Sequence, residues 1–264
     1  MNNGKKIEEA HFARHLLLDE HQPRWRRYAA LVTGKSSLGA LLAYEVKTGF
    51  LGGIPGATGL FVRGKLYPSL FKRAGPGLNI GRSVVIRHAD KIALGANVTL
   101  DDYCVLDGRG AGEEGLLIGD NAIIGRAAIV QSKLGSIRLG NNCNIGAQSV
   151  VISQGDRIDI EDWCQIAGGC KISGGRFKLT HDPQDGFPYE RESGGPIRIA
   201  TGCFLGMGVI VSDGASIGAF STIGSGAVIS QSVPAHAIVM PRPPVIVGST
   251  APSQPQMQPP VQQA

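Results

Sequence analysis

From residue 80 onward the chain places an aliphatic residue every six positions, commonly with a small residue directly after it and another small residue four positions on. The C-terminal run is the most regular: Leu205-Gly206, Val211-Ser212, Ile217-Gly218 and Ile223-Gly224, each starting six after the last. A fixed internal period means a repeat architecture, in which each unit buries its apolar face only by stacking on its neighbours. The anchors fall in threes: Ile80, Ile86, Ile92; Leu94, Leu100, Leu106; Ile118, Ile124, Val130; Leu139, Ile145, Val151; Ile160, Ile166, Ile172; Ile199, Leu205, Val211; and Ile217, Ile223, Ile229. Three hexads per coil predict a triangular all-β solenoid of about seven coils, each contributing three short parallel strands.

Composition fits that architecture. Glycine supplies 38 of the 264 residues, roughly twice the usual share, while aromatics are only 6%. Glycine suits tight corners where a side chain or a positive φ would clash. Stacked aliphatic ladders fill the interior without aromatic bulk. Cys104, Cys143, Cys164, Cys170 and Cys203 each lie four residues after an anchor, which assigns all five to small inward positions as core-filling thiols. An odd number of cysteines also argues against a disulfide framework.

The formal charge of +5 is unevenly spread. Residues 1–79 hold 12 Lys and Arg against 5 Asp and Glu, a net +7, and the remainder is net −2. Two segments with different jobs follow: a basic, mostly helical segment over 1–79 and a repeat domain over 80–248. Residues 249–264, rich in Pro and Gln, read as a disordered tail. In the N-terminal segment Arg63, Lys65, Lys72 and Arg73 interleave with Leu66, Tyr67, Leu70 and Phe71. That pattern fits a helical cap over the open end of the solenoid, or an amphipathic stretch on an anionic membrane surface. No secretory signal or sustained apolar run is visible, and the expected location is cytoplasmic.

A solenoid carries its function in its insertions. One covers residues 107–117; the longer covers 173–198 and contains His181, three aromatics and four carboxylates. Among six histidines, His181 is the candidate for chemistry. His11, His15 and His21 precede the repeat, His88 reads as a solvated corner, and His236 reads as a surface turn after the last coil.

The hexads, together with Ile223-Gly224-Ser225-Gly226-Ala227-Val228-Ile229-Ser230-Gln231-Ser232-Val233-Pro234, resemble the hexapeptide-repeat acyltransferases, and within them the sugar O-acetyltransferase branch. The resemblance covers roughly residues 75–245. It implies a left-handed parallel β-helix, a homotrimer with sites between neighbouring subunits, and acetyl-CoA as acyl donor with no metal. Relatives carry one catalytic His on a loop interrupting the coils, followed about two dozen residues later by an aromatic-Ile/Leu-Gly step. Here His181 precedes Phe204-Leu205-Gly206 by 23 residues, with Phe204 where Trp is common. The Gly-Gly-x-His of many relatives is absent, since Gly174-Gly175-Arg176-Phe177 has no His. Met240-Pro241-Arg242-Pro243-Pro244 stands in place of the family's Gly-Asn-Pro-Ala-Lys/Arg segment, with Arg242 as the substitute cation.

The implied chemistry needs one neutral imidazole. His181 would act as general base on a sugar hydroxyl, oriented by Asp182, Glu190 or Glu192, with an amide of Gly206 to Gly208 at the oxyanion. Phe204, Gly206, Met207, Ser225, Ser230 and Arg242 are the positions implied for the cofactor arm. The acceptor would be a small or lipid-linked sugar, as in surface-polysaccharide precursors, with peripheral membrane contact through residues 1–79. The alternative is a non-catalytic β-helix acting as scaffold or binding protein. No nucleotide-binding glycine loop, converging histidine triad or nucleic-acid module accompanies the repeat.

Overall fold

A computed structural model describes residues 21–110, 115–179 and 189–243, with side chains in the last stretch from residue 192. The repeat forms three parallel sheets, called A, B and C in chain order, of seven, eight and seven strands. Each run through A, B and C is one coil, so there are seven complete coils and an eighth strand, Ile238–Val239, on sheet B.

Pairing between coils is in register. On sheet A, Ile137 opposes Leu116 and Ile158, and Ile158 opposes Ile197. On sheet B, Ile145 opposes Ile124 and Ile166; on sheet C, Val151 opposes Val130 and Ile172. Like therefore stacks on like, and the anchors from Ile80 to Ile229 form one continuous buried cluster. Each fully buried Ile in that cluster contributes about 1.5–3 kcal/mol. All five cysteines are buried within it as free thiols, as their register predicts. Burial pushes the Cys104 thiol up to about 12, which keeps it protonated and inert.

The first triplet is phased differently from the sequence reading. Ile92 and Leu94 lie on one sheet-A strand, Ile92–Leu94, and both point inward. The sheet-A strand of the first coil is Arg73–Ala74, paired with Ala93 and Leu94. A two-residue strand without an aliphatic anchor leaves no hexad signal.

Among the described residues three α-helices precede the coils: α1 (Arg24–Thr33), α2 (Leu38–Glu45, continued by a π-helical turn Val46–Phe50) and α3 (Gly56–Leu66). They dock on the first coil through polar anchors. Arg63 is 2% exposed and donates from Nε to the Ile80 carbonyl at 2.7 Å and from a terminal nitrogen to the Ile54 carbonyl at 2.7 Å. Its charge is thereby spent inside the protein and removed from the basic surface stretch. The Tyr44 hydroxyl donates to the Ile86 carbonyl at 2.8 Å.

His88 corrects the solvated-corner reading. It is 4% exposed, with its backbone N–H bonded to the Val32 carbonyl and Nε2 at 3.1 Å from the Leu31 carbonyl. The corner does bulge outward, with His88 at φ 50, but α1 comes down over it. Gly34, which ends α1 at φ 74, sits so close that a Cβ there would stand 2.9 Å from Nδ1 of His88. Only glycine meets both demands.

Another face of the same helices stays open. Leu38, Leu42, Val46 and Phe50, four residues apart, are 53%, 57%, 54% and 80% exposed. No helix among the described residues is long and apolar enough to cross a membrane.

Burial lowers the His88 pKa from its ordinary value, with Asp107 opposing the shift and Lys91 and Arg109 adding to it. The unfolded chain then binds the proton more readily than the folded one, so stability is full above ~6.5 and falls as pH drops below it. The thermal midpoint is expected to decline between pH 7 and 5, and the decline is expected to be shallower in His88→Gln. Identical pH slopes by calorimetry would refute this account of the docking contact.

Candidate functional site

Corners between sheets A and B, and between B and C, each place one residue per coil in the left-handed region. At the A–B corner these residues are Gly77, Asn97, Asn121, Asn142, Trp163, Gly202, Phe220 and His236; at the B–C corner Ser83, Tyr103, Ala127, Gln148, Gly169, Gly208 and Gly226. Asparagine tolerates this conformation by local polar bonding. Asn97, Asn121 and Asn142 do so as an amide ladder, with Nδ2 to Oδ1 distances of 3.1 and 3.0 Å.

The B–C corner changes character in its upper coils. Its lower coils carry side chains, whereas Gly169, Gly208 and Gly226 carry none, and space is open around the Cβ position at Gly208 and Gly226. This makes a bare ledge along the stacking direction. Gly206 and Ser225 stack directly on it: a Cβ on Gly206 would fall 2.6 Å from the Ser225 amide nitrogen. Exposed Phe204 and Met207 flank the ledge. The Met240 sulfur covers Gly224, one coil further up, and Arg242 follows it two residues later. Five of the six positions expected at the cofactor arm, Phe204, Gly206, Met207, Ser225 and Arg242, therefore gather around this corner. Ser230 does not; it follows the sheet-C strand Val228–Ile229 at the far end of that face.

Of the amides from Gly206 to Gly208, those of Gly206 and Gly208 are committed to the coil ladder, donating to Ile223 at 2.8 Å and Gly168 at 3.1 Å. Met207 donates no backbone bond among the described residues, nor does Ser225 one coil above. In this segment the Met207 amide, with that of Ser225 beside it, is the one left free of a backbone acceptor among the described residues, whereas the two glycine amides are engaged.

The long insertion leaves the C–A corner as an antiparallel hairpin, Arg176–Leu179 with Tyr189–Glu192, in which Glu190 opposes Lys178. His181 and Asp182 lie between these legs, outside the described residues. The root of the hairpin is tied down on both sides. Arg176 Nε meets Asp213 Oδ2 at 3.1 Å and Glu192 at 3.9 Å, and the Ser193 hydroxyl donates to Asp156 at 2.5 Å. Glu192 thus serves the hairpin root.

A groove of about 320 Å³ crosses sheet A over the coils from which the hairpin springs. Its floor is a charge ladder in which Arg138 opposes Asp159 and Asp159 opposes Arg198, with Arg157, Glu161 and Thr201 at its sides. Sequence reading missed these residues. They occupy outward hexad positions, which carry no periodic signal, and only the register brings residues 138 and 198 together. At the adjoining corner Trp163 is 61% exposed, and Phe220 and His236 stack with centroids 5.5 Å apart.

No family model matches the chain. Serine acetyltransferase from Synechococcus elongatus is 29% identical over 101 residues, covering 35% of this chain and 38% of that protein. Serine acetyltransferase from Staphylococcus aureus is 34% identical over 85 residues, covering 29% and 38%. The chain thus aligns with well under half the length of these curated relatives. Among solved structures, AntD, an N-acyltransferase from Bacillus cereus in complex with dTDP and coenzyme A, covers 67% of this chain and 83% of its own at 17% identity and a TM-score of 0.46. A maltose O-acetyltransferase from Clostridium difficile covers 87% and 91% at 14% identity and a TM-score of 0.39.

Asp213→Ala is expected to free the Arg176 anchor and loosen the hairpin alone. Amide hydrogen exchange over 176–179 and 189–192 should quicken several-fold while exchange in the coils is unchanged. Unaltered exchange in the hairpin would show that the ion pair does not hold it.

Proposed function

We propose that this chain is an acyltransferase of the hexapeptide-repeat β-helix kind, moving an acetyl group from acetyl-CoA to a sugar hydroxyl. The observation that carries the reading is the bare ledge of Gly169, Gly208 and Gly226. An extended, flexible arm can lie along it, with the Met207 and Ser225 amides unengaged beside it. Local similarity to serine acetyltransferases supports transfer to a hydroxyl rather than an amine.

In this mechanism His181, which falls in sequence between the two hairpin strands, is the general base. Its neutral imidazole takes the proton as the acceptor oxygen attacks the thioester carbonyl. The Met207 N–H donates to the oxyanion of the tetrahedral intermediate. Collapse breaks the C–S bond, and the imidazolium returns its proton to the departing thiolate. An acetyl ester and free thiol remain, so no covalent enzyme intermediate is required. Phe204 and Met207 flank the pantetheine arm, and Arg242 meets a phosphate. Asp182 and Glu190 are the carboxylates proposed to orient the imidazole.

His181→Ala is expected to lower kcat for thiol release from acetyl-CoA by at least 100-fold with a sugar panel, at an unchanged thermal midpoint. Equal rates in wild type and variant would remove His181 from the mechanism. Wild-type inertness across the whole panel would favour a non-catalytic scaffold.

The reading extends to homotrimers and to the membrane surface. The first outward position of each sheet-C strand is aliphatic in six of seven, Val85, Val105, Ile129, Val150, Ile210 and Val228, with Lys171 the exception, and such a row favours packing against another copy. The stripe Leu38, Leu42, Val46 and Phe50, with Lys47 on the same helical segment, Lys35 just before it and Lys65 on α3, supports contact with an anionic bilayer. The protein is expected to co-sediment with vesicles containing anionic lipid, and Leu42→Asp/Phe50→Asp to lose most of that binding. Co-sedimentation unaffected by the pair would refute the membrane contact.

A further inference from the structure

Three features meet on the sheet-A side of the fourth to sixth coils: the groove, its arginines and an exposed tryptophan. The three carboxylates there are already engaged. Asp159 holds Arg157 Nε at 2.6 Å. Glu161 Oε2 accepts from the Thr201 amide at 3.0 Å and hydroxyl at 2.9 Å, and Asp162 Oδ1 accepts from the Asn141 amide at 2.7 Å. Arg138 and Arg198 enter no ion pair among the described residues, although both are exposed on the groove floor. They flank the Asp159 strand, so their Cα atoms are about 9.6 Å apart at the usual strand spacing of about 4.8 Å. Two long guanidinium side chains at that separation can converge on one anion, each offering a planar fork of donors matched to carboxylate or phosphate.

Trp163 adds an apolar surface at the edge. It follows Asp162 directly in the chain and stands at the A–B corner with φ 64. In that column the three coils directly below use asparagine and the coil directly above uses glycine, with Phe220 and His236 in the two beyond. A bulky residue in the left-handed region costs roughly 1–2 kcal/mol, and an indole left 61% exposed recovers little of it by burial. Strain retained without packing points to use. An indole face suits the C–H face of a sugar ring, whose hydrogens meet the negative face of the π system.

We propose that the sheet-A groove binds a sugar bearing a negatively charged group, carboxylate or phosphate, with Arg138 and Arg198 holding the anion and Trp163 packing against the ring. This goes beyond the acyl-transfer reading and does not rest on it, since the groove lies on the face opposite the B–C ledge.

The chain has two tryptophans, so Trp25→Phe leaves Trp163 as the sole indole reporter. Full-length Trp25→Phe protein is titrated with glucuronate, glucose 6-phosphate, glucose and inorganic phosphate. One or both acidic sugars should shift the emission at concentrations where glucose has no effect, and the tighter of the two identifies carboxylate or phosphate. Inorganic phosphate should compete without the shift. Arg138→Gln/Arg198→Gln should weaken binding at least tenfold, and Arg138→Lys/Arg198→Lys, which keeps the charge but not the fork, by less. Thermal midpoints of both pairs check folding, and the exposed positions should leave them unchanged. Binding unaltered in the glutamine pair, glucose binding as well as the acids, or no response to either acidic sugar overturns the proposal. Sugar binding without thiol release from acetyl-CoA would reject acyl transfer and keep this site; thiol release without sugar binding would do the reverse.

Discussion

In-register pairing between consecutive coils is the interaction on which everything else depends. The strands of the coils are two to four residues long, too short to persist alone. Each is held by backbone bonds to the coil below and the coil above, and by an aliphatic side chain seated on its equivalent in both. Stability is therefore shared among neighbours, and the open end of the first coil is its weakest point. The N-terminal helices answer that weakness with polar anchors. Arg63, Tyr44 and His88 reach carbonyls or receive them, so the cap is keyed to the backbone of the first coil and its flanks.

Pairing also sorts the surface. Inward hexad positions must repeat, so the sequence there is constrained and readable; outward positions need only avoid clashes and are free to differ by face. Sheet C carries an outward row that is aliphatic in six of seven strands beside a mostly polar row, sheet A carries alternating charge across Arg138, Asp159 and Arg198, and the upper B–C corner is stripped to glycine. Two outward decisions mark the surface, an open ledge on the B–C edge and a polar groove on the opposite face, sheet A, and the hairpin leaves from the C–A edge between them.

That division explains what could be read from the chain in advance. The solenoid, its seven coils and the burial of every cysteine follow from period alone. The first sheet-A strand escaped because Arg73–Ala74 lacks an anchor. His88 was misassigned because its corner conformation looks outward in isolation, and only α1, folding back from more than 50 residues earlier, encloses it. Arg63 likewise reads as one more surface cation until its carbonyl partners are placed. The groove was invisible for a related reason: residues 138, 159 and 198 have no fixed spacing, since an 18-residue excess intervenes between the last two. His181 and Asp182 stand on sequence and resemblance alone.

The coil geometry also decides where this chain can change length. From sheet A to B the anchors are always six residues apart, as from Leu94 to Leu100 or Ile199 to Leu205, and from B to C six again. From C to A the interval runs from 6 residues, Val211 to Ile217, to 27, Ile172 to Ile199. Two edges of the prism are metric and one is elastic. A single residue added at either metric edge would turn every later inward side chain out of register, whereas a whole hairpin at the elastic edge leaves the ladder intact. Evolutionary novelty in such a molecule can accumulate along only one line on its surface, and new loops entering there arrive already aligned with the sheet-A groove beside it.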